Sequence, residues 1–444
     1  MKKAFINGIV LNGNEDMKPE TGLVILTDGE MITDVVPAEG VNLDAYEKID
    51  LEGKYIMPGF INLHIHMPAS GKAPKENQKP IDYKKLFNLF KIPGVYPVFE
   101  RLQYTMAKDE LFSGCTTVRT VGGVKECDSH IRDKVRAGKI IGPRMLVANN
   151  AVTVPGGHFA GSLALESESV EDAVAKVKQI ADQGVDLIKL MITGGVMDAT
   201  VPGEPGALRM PLEMVKACCE EAHRHGLMVA AHVESPEGVR VALQGGVDTI
   251  EHGAQPDDEI IELFKQTGSA DICTISPAVP YTLFDESVSH CGDLGRLNGS
   301  VVFEGIVNCA KACLANGIPV GLGTDTGCPF IRHYDMWREL QYFHLWCGVS
   351  NSYALYTATK KNAEIAKIDG DVGTIEKGKY ADFIVCAKNP LDDLKVLRKL
   401  DMVVKGGEIY KDPKIKKDPA IEAALDEFID FTPEQYAERK AANA

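Results

Sequence analysis

From Tyr55 to Asp325 the chain alternates short apolar runs with longer amphipathic segments. The runs are Tyr55–His66, Cys115–Val121, Arg144–Ala148, Val185–Ile192, Leu227–Val233, Thr249–Glu251, Asp271–Ser276 and Pro319–Thr324. Runs of this length fit strands buried on both faces, as in a parallel sheet. Between them, segments such as Ser169–Gln183 and Leu212–His225 repeat apolar positions at helical spacing. Eight such strand–helix units predict an α/β fold built on a (β/α)8 TIM barrel, which takes roughly 250 residues. A doubly wound open sheet is the alternative. It usually carries a glycine-rich first turn, and no GxGxxG follows the first run.

The two flanks have a different rhythm. Residues 1–54 read as strands and turns (Lys3–Leu11, Gly22–Thr27, Met31–Val36 and Glu47–Leu51), with Gly, Asn and Asp at the breaks. After the eighth run, Asn351–Ile368 reads as a helix that ends a barrel unit spanning 55–368. Strand and turn return in Gly373–Val385 and Asp401–Tyr410. The simplest arrangement packs 369–412 on 1–54 as one small β-sandwich made from both chain ends. The tail, 413–444, is charged and partly helical, which suits either a solvated or a docking helix.

Composition narrows the function classes. With 45% apolar and 25% charged residues, the 444-residue chain is ordinary for a soluble protein. No run reaches the eighteen apolar residues of a membrane span, and Asn7, Asn12 and Asn14 interrupt the start too early for a signal peptide. A net charge of −15 with no basic stripe argues against nucleic acid as a partner. The 11 cysteines are scattered, without a CxxC pair and with Cys218 and Cys219 adjacent in a helical segment. Reduced thiols with packing roles, in a cytoplasmic protein, are the expectation.

Candidate chemistry gathers at the ends of the runs. His64 and His66 close the first, and side chains at i and i+2 of a strand project to one face, so the two imidazoles make half of a zinc-type ligand set. His232 closes the fifth run and His252 follows the sixth. Lys189 sits mid-strand in Val185–Ile192, where a cation is costly unless it is paired or functional. Desolvation would lower its pKa and free the amine, and a carbamate formed from that amine and CO2 would be a bridging carboxylate. Asp325 follows the eighth run and either caps the next helix or reaches across to strand one as a general base and acid. His158, in Gly156-Gly157-His158, is an exposed loop residue or a donor to a substrate carbonyl. Arg119, ending strand two, meets a substrate carboxylate or forms a structural ion pair. The loop 194–209, with four glycines and two prolines, is a lid or a long connection.

The HxH after strand one, Lys after four, His after five and six, and Asp after eight resemble the amidohydrolase superfamily. The resemblance extends through the flanking β-pieces and the segment Gly373–Asp382. Thr116-Thr117-Val118-Arg119 and Gly156-Gly157-His158 are similar to its imidazolonepropionase-like branch, which includes Xaa-Pro dipeptidases and Xaa-Arg or Xaa-Lys carboxypeptidases. The resemblance implies a binuclear centre of two divalent ions, most often zinc. His64, His66 and Asp325 would hold one, His232 and His252 the other, and carboxylated Lys189 would bridge them. A hydroxide between the metals would be the nucleophile, and Asp325 would carry its proton to the leaving nitrogen. Barrels of this kind often associate, so a homo-oligomer is expected.

These residues lead to a small-molecule substrate with an amide-type C–N bond. With His158, Arg119 and Glu234 as substrate contacts, a dipeptide or N-acyl amino acid is expected. Glu234 stands where a dipeptidase of the branch would carry Tyr, and it suits a substrate cation. Its His-x-Glu spacing also resembles imidazolonepropionases, so cyclic amide hydrolysis is an alternative. A mononuclear heterocycle deaminase is another, although Lys189 argues against it. A scaffold that has lost catalysis would have lost ligands, and all six candidates are present. His130, His223, His225, His290, His333 and His344 suit helix or loop surfaces.

Overall fold

Eight staves of parallel strand form the centre of the computed structural model, which describes residues 1–76 and 83–442. In order they are Phe60–Ile65, Cys115–Thr120, a broken third stave of Arg144–Val147 and Ala151–Thr153, then Leu187–Met191, Met228–Val233, Thr249–His252, Ala270–Cys273 and Val320–Leu322. Every pairing between successive staves is parallel, with Lys189 opposite Ala230, Met191 opposite His232 and Val233 opposite His252. In the third stave, Arg144–Val147 pairs with the second strand, whereas Val152 pairs with Leu190 of the fourth. Asn149, at a left-handed φ of 54°, marks the break between the two pieces. The barrel closes through a parallel bridge between Ile65 and Thr326. The fold is the expected TIM barrel accompanied by a separate β-structure.

The first apolar run divides into two strands. Tyr55–Pro58 belongs to a six-stranded sheet, and only Phe60–Ile65 enters the barrel. Gly59 is the joint: a Cβ there would lie 2.2 Å from the side chain of Thr116, so the chain can cross at this point only without a side chain. The run Lys3–Leu11 divides in the same way at Asn7, whose φ is 56°. Lys2–Ile6 joins a four-stranded sheet and Ile9–Leu11 joins the six-stranded one. These sheets share one apolar layer that includes Phe5, Ile25, Ile56, Phe383 and Val404. Phe5 and Phe383 meet edge to face across it, with centroids 5.4 Å apart. The predicted helix from Asn351 is interrupted by a π-type turn over Thr357–Lys361.

The tail docks. Its helices, Pro419–Asp426 and Pro433–Ala442, lie against the barrel's outer helices. Tyr436 packs on Phe303 and Trp346, with centroids 5.6 and 5.7 Å away. Arg338, buried in helix Met336–Cys347, meets Asp335 at 3.2 Å, Glu422 at 3.3 Å and Asp426 at 2.8 Å. Among the described residues all eleven cysteines are free, and no helix is long and apolar enough to cross a membrane.

Removing one partner of a buried ion network strands the others. Arg338→Met is therefore expected to lower unfolding free energy by about 3 kcal/mol. Denaturant titration followed by tail-specific proteolysis checks it: the tail should become cleavable before the barrel unfolds.

Candidate metal centre

The six candidate ligands converge at the C-terminal end of the barrel, and each is at least nine-tenths buried. Convergence begins at the seam between strands one and eight. Asp325 N–H donates to the His64 carbonyl at 2.8 Å, and His66 N–H donates to the Thr326 carbonyl at 2.8 Å. Asn62 accepts from Thr324 N–H at 3.1 Å and donates to its hydroxyl at 2.8 Å. Gly323 makes this approach possible, because a Cβ there would fall 2.4 Å from His64 Cβ. The seam brings Asp325 Oδ1 to 3.4 Å from both His64 Nε2 and His66 Nε2. His252 and Asp325 both hold left-handed backbone, at φ of 73° and 51°. Such conformations cost free energy and concentrate at functional sites.

Each imidazole is held from behind. His64 Nδ1 donates to Glu251 Oε2 at 2.6 Å, and His66 Nδ1 donates to the Gly122 carbonyl at 2.9 Å. His232 Nε2 donates to the Gly194 carbonyl at 3.2 Å, and His252 Nδ1 meets the Thr274 hydroxyl at 2.8 Å. A carbonyl can only accept, so His66 and His232 carry their protons on the outer nitrogen and turn a bare lone pair inward. Burial holds all four imidazole pKa values below the ordinary one, with His252 at about 4. Neutral rings with an anchored far nitrogen are what a metal ion requires.

Of three groups of side chains among the described residues that could each hold an ion, two lie here: His64, His66 and Asp325, and His232, Glu234 and His252; the third, Asp271, Cys309 and Cys313, includes none of the predicted ligands. Within each, the ligand atoms all lie within 4.8 Å of one another. His64 Nε2 and Asp325 Oδ1 are buried without a hydrogen-bond partner among the described residues. Buried polar atoms are rarely left so, and two lone pairs facing one gap fit a cation. Lys189 lines the same cavity, and burial lowers its pKa to about 8. The residues thus fit divalent metal.

The substrate contacts expected from sequence separate into two kinds. His158 and Glu234 line the cavity. His158 stacks on His232, with centroids 4.1 Å apart and planes 7° from parallel, and Asp198 holds its Nδ1. Glu234 Oε2 accepts from Val196 N–H at 3.0 Å, and burial pushes its carboxyl up to about 8. Arg119 departs from the expectation. Its guanidinium turns into the barrel, donating to Leu63 O at 2.7 Å, Thr249 Oγ1 at 3.2 Å and Glu251 Oε1 at 2.6 Å. Arg119 is buried, each of its three nitrogens has a partner, and it does not line the cavity. It is the structural ion pair of the two alternatives.

Three contributors went unseen in the sequence. Glu251 joins Arg119 to His64, Asp198 holds His158, and the Cys328 thiol lies 3.3 Å from Asp325 Oδ2. Glu251 carried a usable signal: like Lys189, it is a charge inside an apolar strand. His333 corrects the surface assignment, being buried with its ring between Glu110 Oε1 at 3.1 Å and the Ala69 carbonyl at 2.8 Å. His130, His223, His225 and His290 are exposed and His344 is half-buried. The loop 194–209 folds over the cavity: Val196 and Met197 line it, and Gly203 N–H donates to Asn298 Oδ1 at 2.7 Å.

Because Glu251 orients His64 and Arg119 holds Glu251, both would act through His64 on any ion that it holds. Glu251→Gln and Arg119→Met are each expected to weaken metal retention by about 10–100-fold. Chelator competition reads this directly. Arg119→Met should also reduce turnover of carboxylated substrates and of their carboxamides equally.

The profile of the Amidohydrolase family matches residues 55–410. A Bifidobacterium longum protein provisionally described as a prolidase superposes with a TM-score of 0.84 at 34% identity, covering 96% of this chain and 98% of that one. The structure of a Xaa-Pro dipeptidase with methionine bound in its active site superposes at 0.81 with 27% identity, covering 93% and 100%. Ochratoxinase of Aspergillus niger is 26% identical over 339 residues, 69% of this chain and 68% of its own. The matched segment runs from the strand before the barrel to the last strand of the six-stranded sheet, and the chain belongs to the amidohydrolase family.

Proposed function

We propose that the protein is a hydrolase of an amide-type C–N bond in a small amino-acid derivative, a dipeptide or an N-acyl amino acid. The observation that carries this is the shared gap faced by bare lone pairs of buried histidines and by Asp325 Oδ1, with Lys189 on the same wall. His64, His66 and Asp325 would hold one divalent ion and His232 and His252 a second, zinc by ligand type. Lys189, as its carbamate, would join the two. Bound metal would lower the pKa of water to about 7 and polarise the scissile carbonyl.

The chain's own groups supply the rest. Asp325 receives the proton released when water adds to the carbonyl and returns it to the leaving nitrogen. The Cys328 thiol, 3.3 Å from Oδ2, helps to fix that carboxylate. His158, braced by Asp198 and by its stack on His232, is placed to donate to the substrate carbonyl. Glu234 meets an N–H or ammonium group. With Arg119 engaged beneath the site, no arginine lines this cavity among the described residues. The likeness to a dipeptidase structure with methionine bound supports an amino-acid-sized substrate.

A single-metal reading has one observation in its favour: Glu234 shares a ligand group with His232 and His252. Metal content separates the two. Elemental analysis of protein made with added bicarbonate should find two ions per chain under the binuclear reading. Lys189→Ala should then lose activity and at least one ion, with partial rescue by short carboxylic acids. One ion per chain, with Lys189 unmodified, selects the single-metal arrangement.

Asp325→Asn should lower kcat by about 10²–10⁴-fold, the range for a general acid–base group, with an unchanged circular dichroism spectrum. A variant within threefold of wild type would assign Asp325 to the turn that follows strand eight.

A further inference from the structure

We infer that the protein holds a further, structural metal ion, a thiophilic divalent cation of the zinc type, on Asp271, Cys309 and Cys313. The site joins the seventh barrel strand to helix Gly292–Ala315. Strand alternation sets the direction of Asp271. Ile272 stands beside Glu251 in register, and the Glu251 carboxylate lies inside the barrel with Arg119. Asp271 and Cys273 therefore turn the other way, toward the surrounding helices. There Ile250, the register neighbour of Asp271, shares one apolar layer with Cys309 and Cys313. The two cysteines lie one helical turn apart, so their sulfurs face the strand together.

Asp271 is the anomaly of that layer. It is fully buried, and its Oδ2 has no hydrogen-bond partner among the described residues. A carboxylate so placed is costly, and protonating it would only exchange a stranded acceptor for a stranded donor. A cation removes the cost. The distances suit one: Cys309 Sγ lies 3.6 Å from Asp271 Oδ1, and the ligand atoms of all three residues lie within 4.8 Å of one another. Bonds from one ion to sulfur and oxygen of about 2.3 and 2.1 Å, at a tetrahedral angle, put the two ligand atoms about 3.6 Å apart. Gly253 keeps the place open, since a Cβ there would fall 2.8 Å from Cys309 Sγ and 2.9 Å from Asp271 Oδ1. Two thiolates and one carboxylate select zinc-type ions over calcium or magnesium. No fourth His, Cys, Asp or Glu joins the group among the described residues, which leaves the last position to a water or a backbone carbonyl. Gly253 directly follows His252, and Val302 and Ile306 of the same helix line the cavity. An ion here would brace both from behind.

Full-length protein made in cobalt-supplemented medium tests this. Cobalt(II) on thiolate gives a near-ultraviolet charge-transfer band that imidazole and carboxylate ligands do not give. The band is expected in wild type and in Cys328→Ser, which removes the thiol beside Asp325. Cys309→Ser combined with Cys313→Ser should abolish it and lower the metal content by one ion per chain. X-ray absorption at the zinc edge gives a second readout that needs no double variant. Zinc-loaded Cys328→Ser protein should show sulfur neighbours at about 2.3 Å, and this decides the matter where the double variant fails to fold. Protein with neither the band nor sulfur neighbours overturns the inference and leaves three buried groups joined by hydrogen bonds alone. A band lost in Cys328→Ser, or kept in the double variant, also overturns it. The sulfur signals do not depend on how many ions the histidines hold. A single histidine-bound ion with the band intact would remove only the binuclear reading.

Discussion

Where the first and eighth barrel strands meet, the same hydrogen bonds close the barrel and assemble the site. Asp325 N–H reaches the His64 carbonyl, His66 N–H reaches the Thr326 carbonyl, and Asn62 clamps Thr324 from both of its amide atoms. Asn362 seals the seam from outside, donating to Ile61 O at 2.6 Å and Leu322 O at 2.8 Å and accepting from Leu322 N–H at 2.9 Å. All these groups are buried, so each bond lost would strand a polar atom. The position of Asp325 against two histidines follows from the closure itself, and Gly323 is the residue whose missing side chain allows it.

From that seam a buried chain runs inward. His64 leans on Glu251, Glu251 on Arg119, and Arg119 on Leu63 O and Thr249. Strands one, two and six are thus joined by one polar path through an otherwise apolar barrel. A carboxylate so placed would be costly alone; paired with a guanidinium, it fixes the imidazole proton on the outer nitrogen. The centre is therefore oriented by the barrel interior as much as by the loops above it.

Much of this was legible in the sequence. Period and run length marked all eight staves, and the strand-end histidines, Lys189 and Asp325 stood out because polar groups seldom end or interrupt apolar runs. Two kinds of information were not local enough to read. A run such as Tyr55–His66 looks continuous, because nothing in its pattern says that its halves pair with different sheets; only the tight contact of Gly59 with Thr116 shows the joint. Arg119 at a strand end looks the same whether its side chain turns up to substrate or down into the barrel. That choice depends on Glu251, 132 residues away in sequence. The docking of the tail on Arg338 and Trp346 was hidden for the same reason.

The joint at Gly59 also bears on how the molecule comes into being. Tyr55–Pro58 sits between Ile9–Leu11 and Phe383–Cys386 in its sheet, so one flank is synthesised before it and the other only after the whole barrel. While the ribosome works through the barrel, the Ile56–Met57 strand waits with one open hydrogen-bonding edge. An unpaired apolar edge is a template for pairing with other chains. That edge is covered only when Phe383–Cys386 pairs with it. The six-stranded sheet that begins with Ile9–Leu11 can thus be completed only once the chain has been made past the whole barrel.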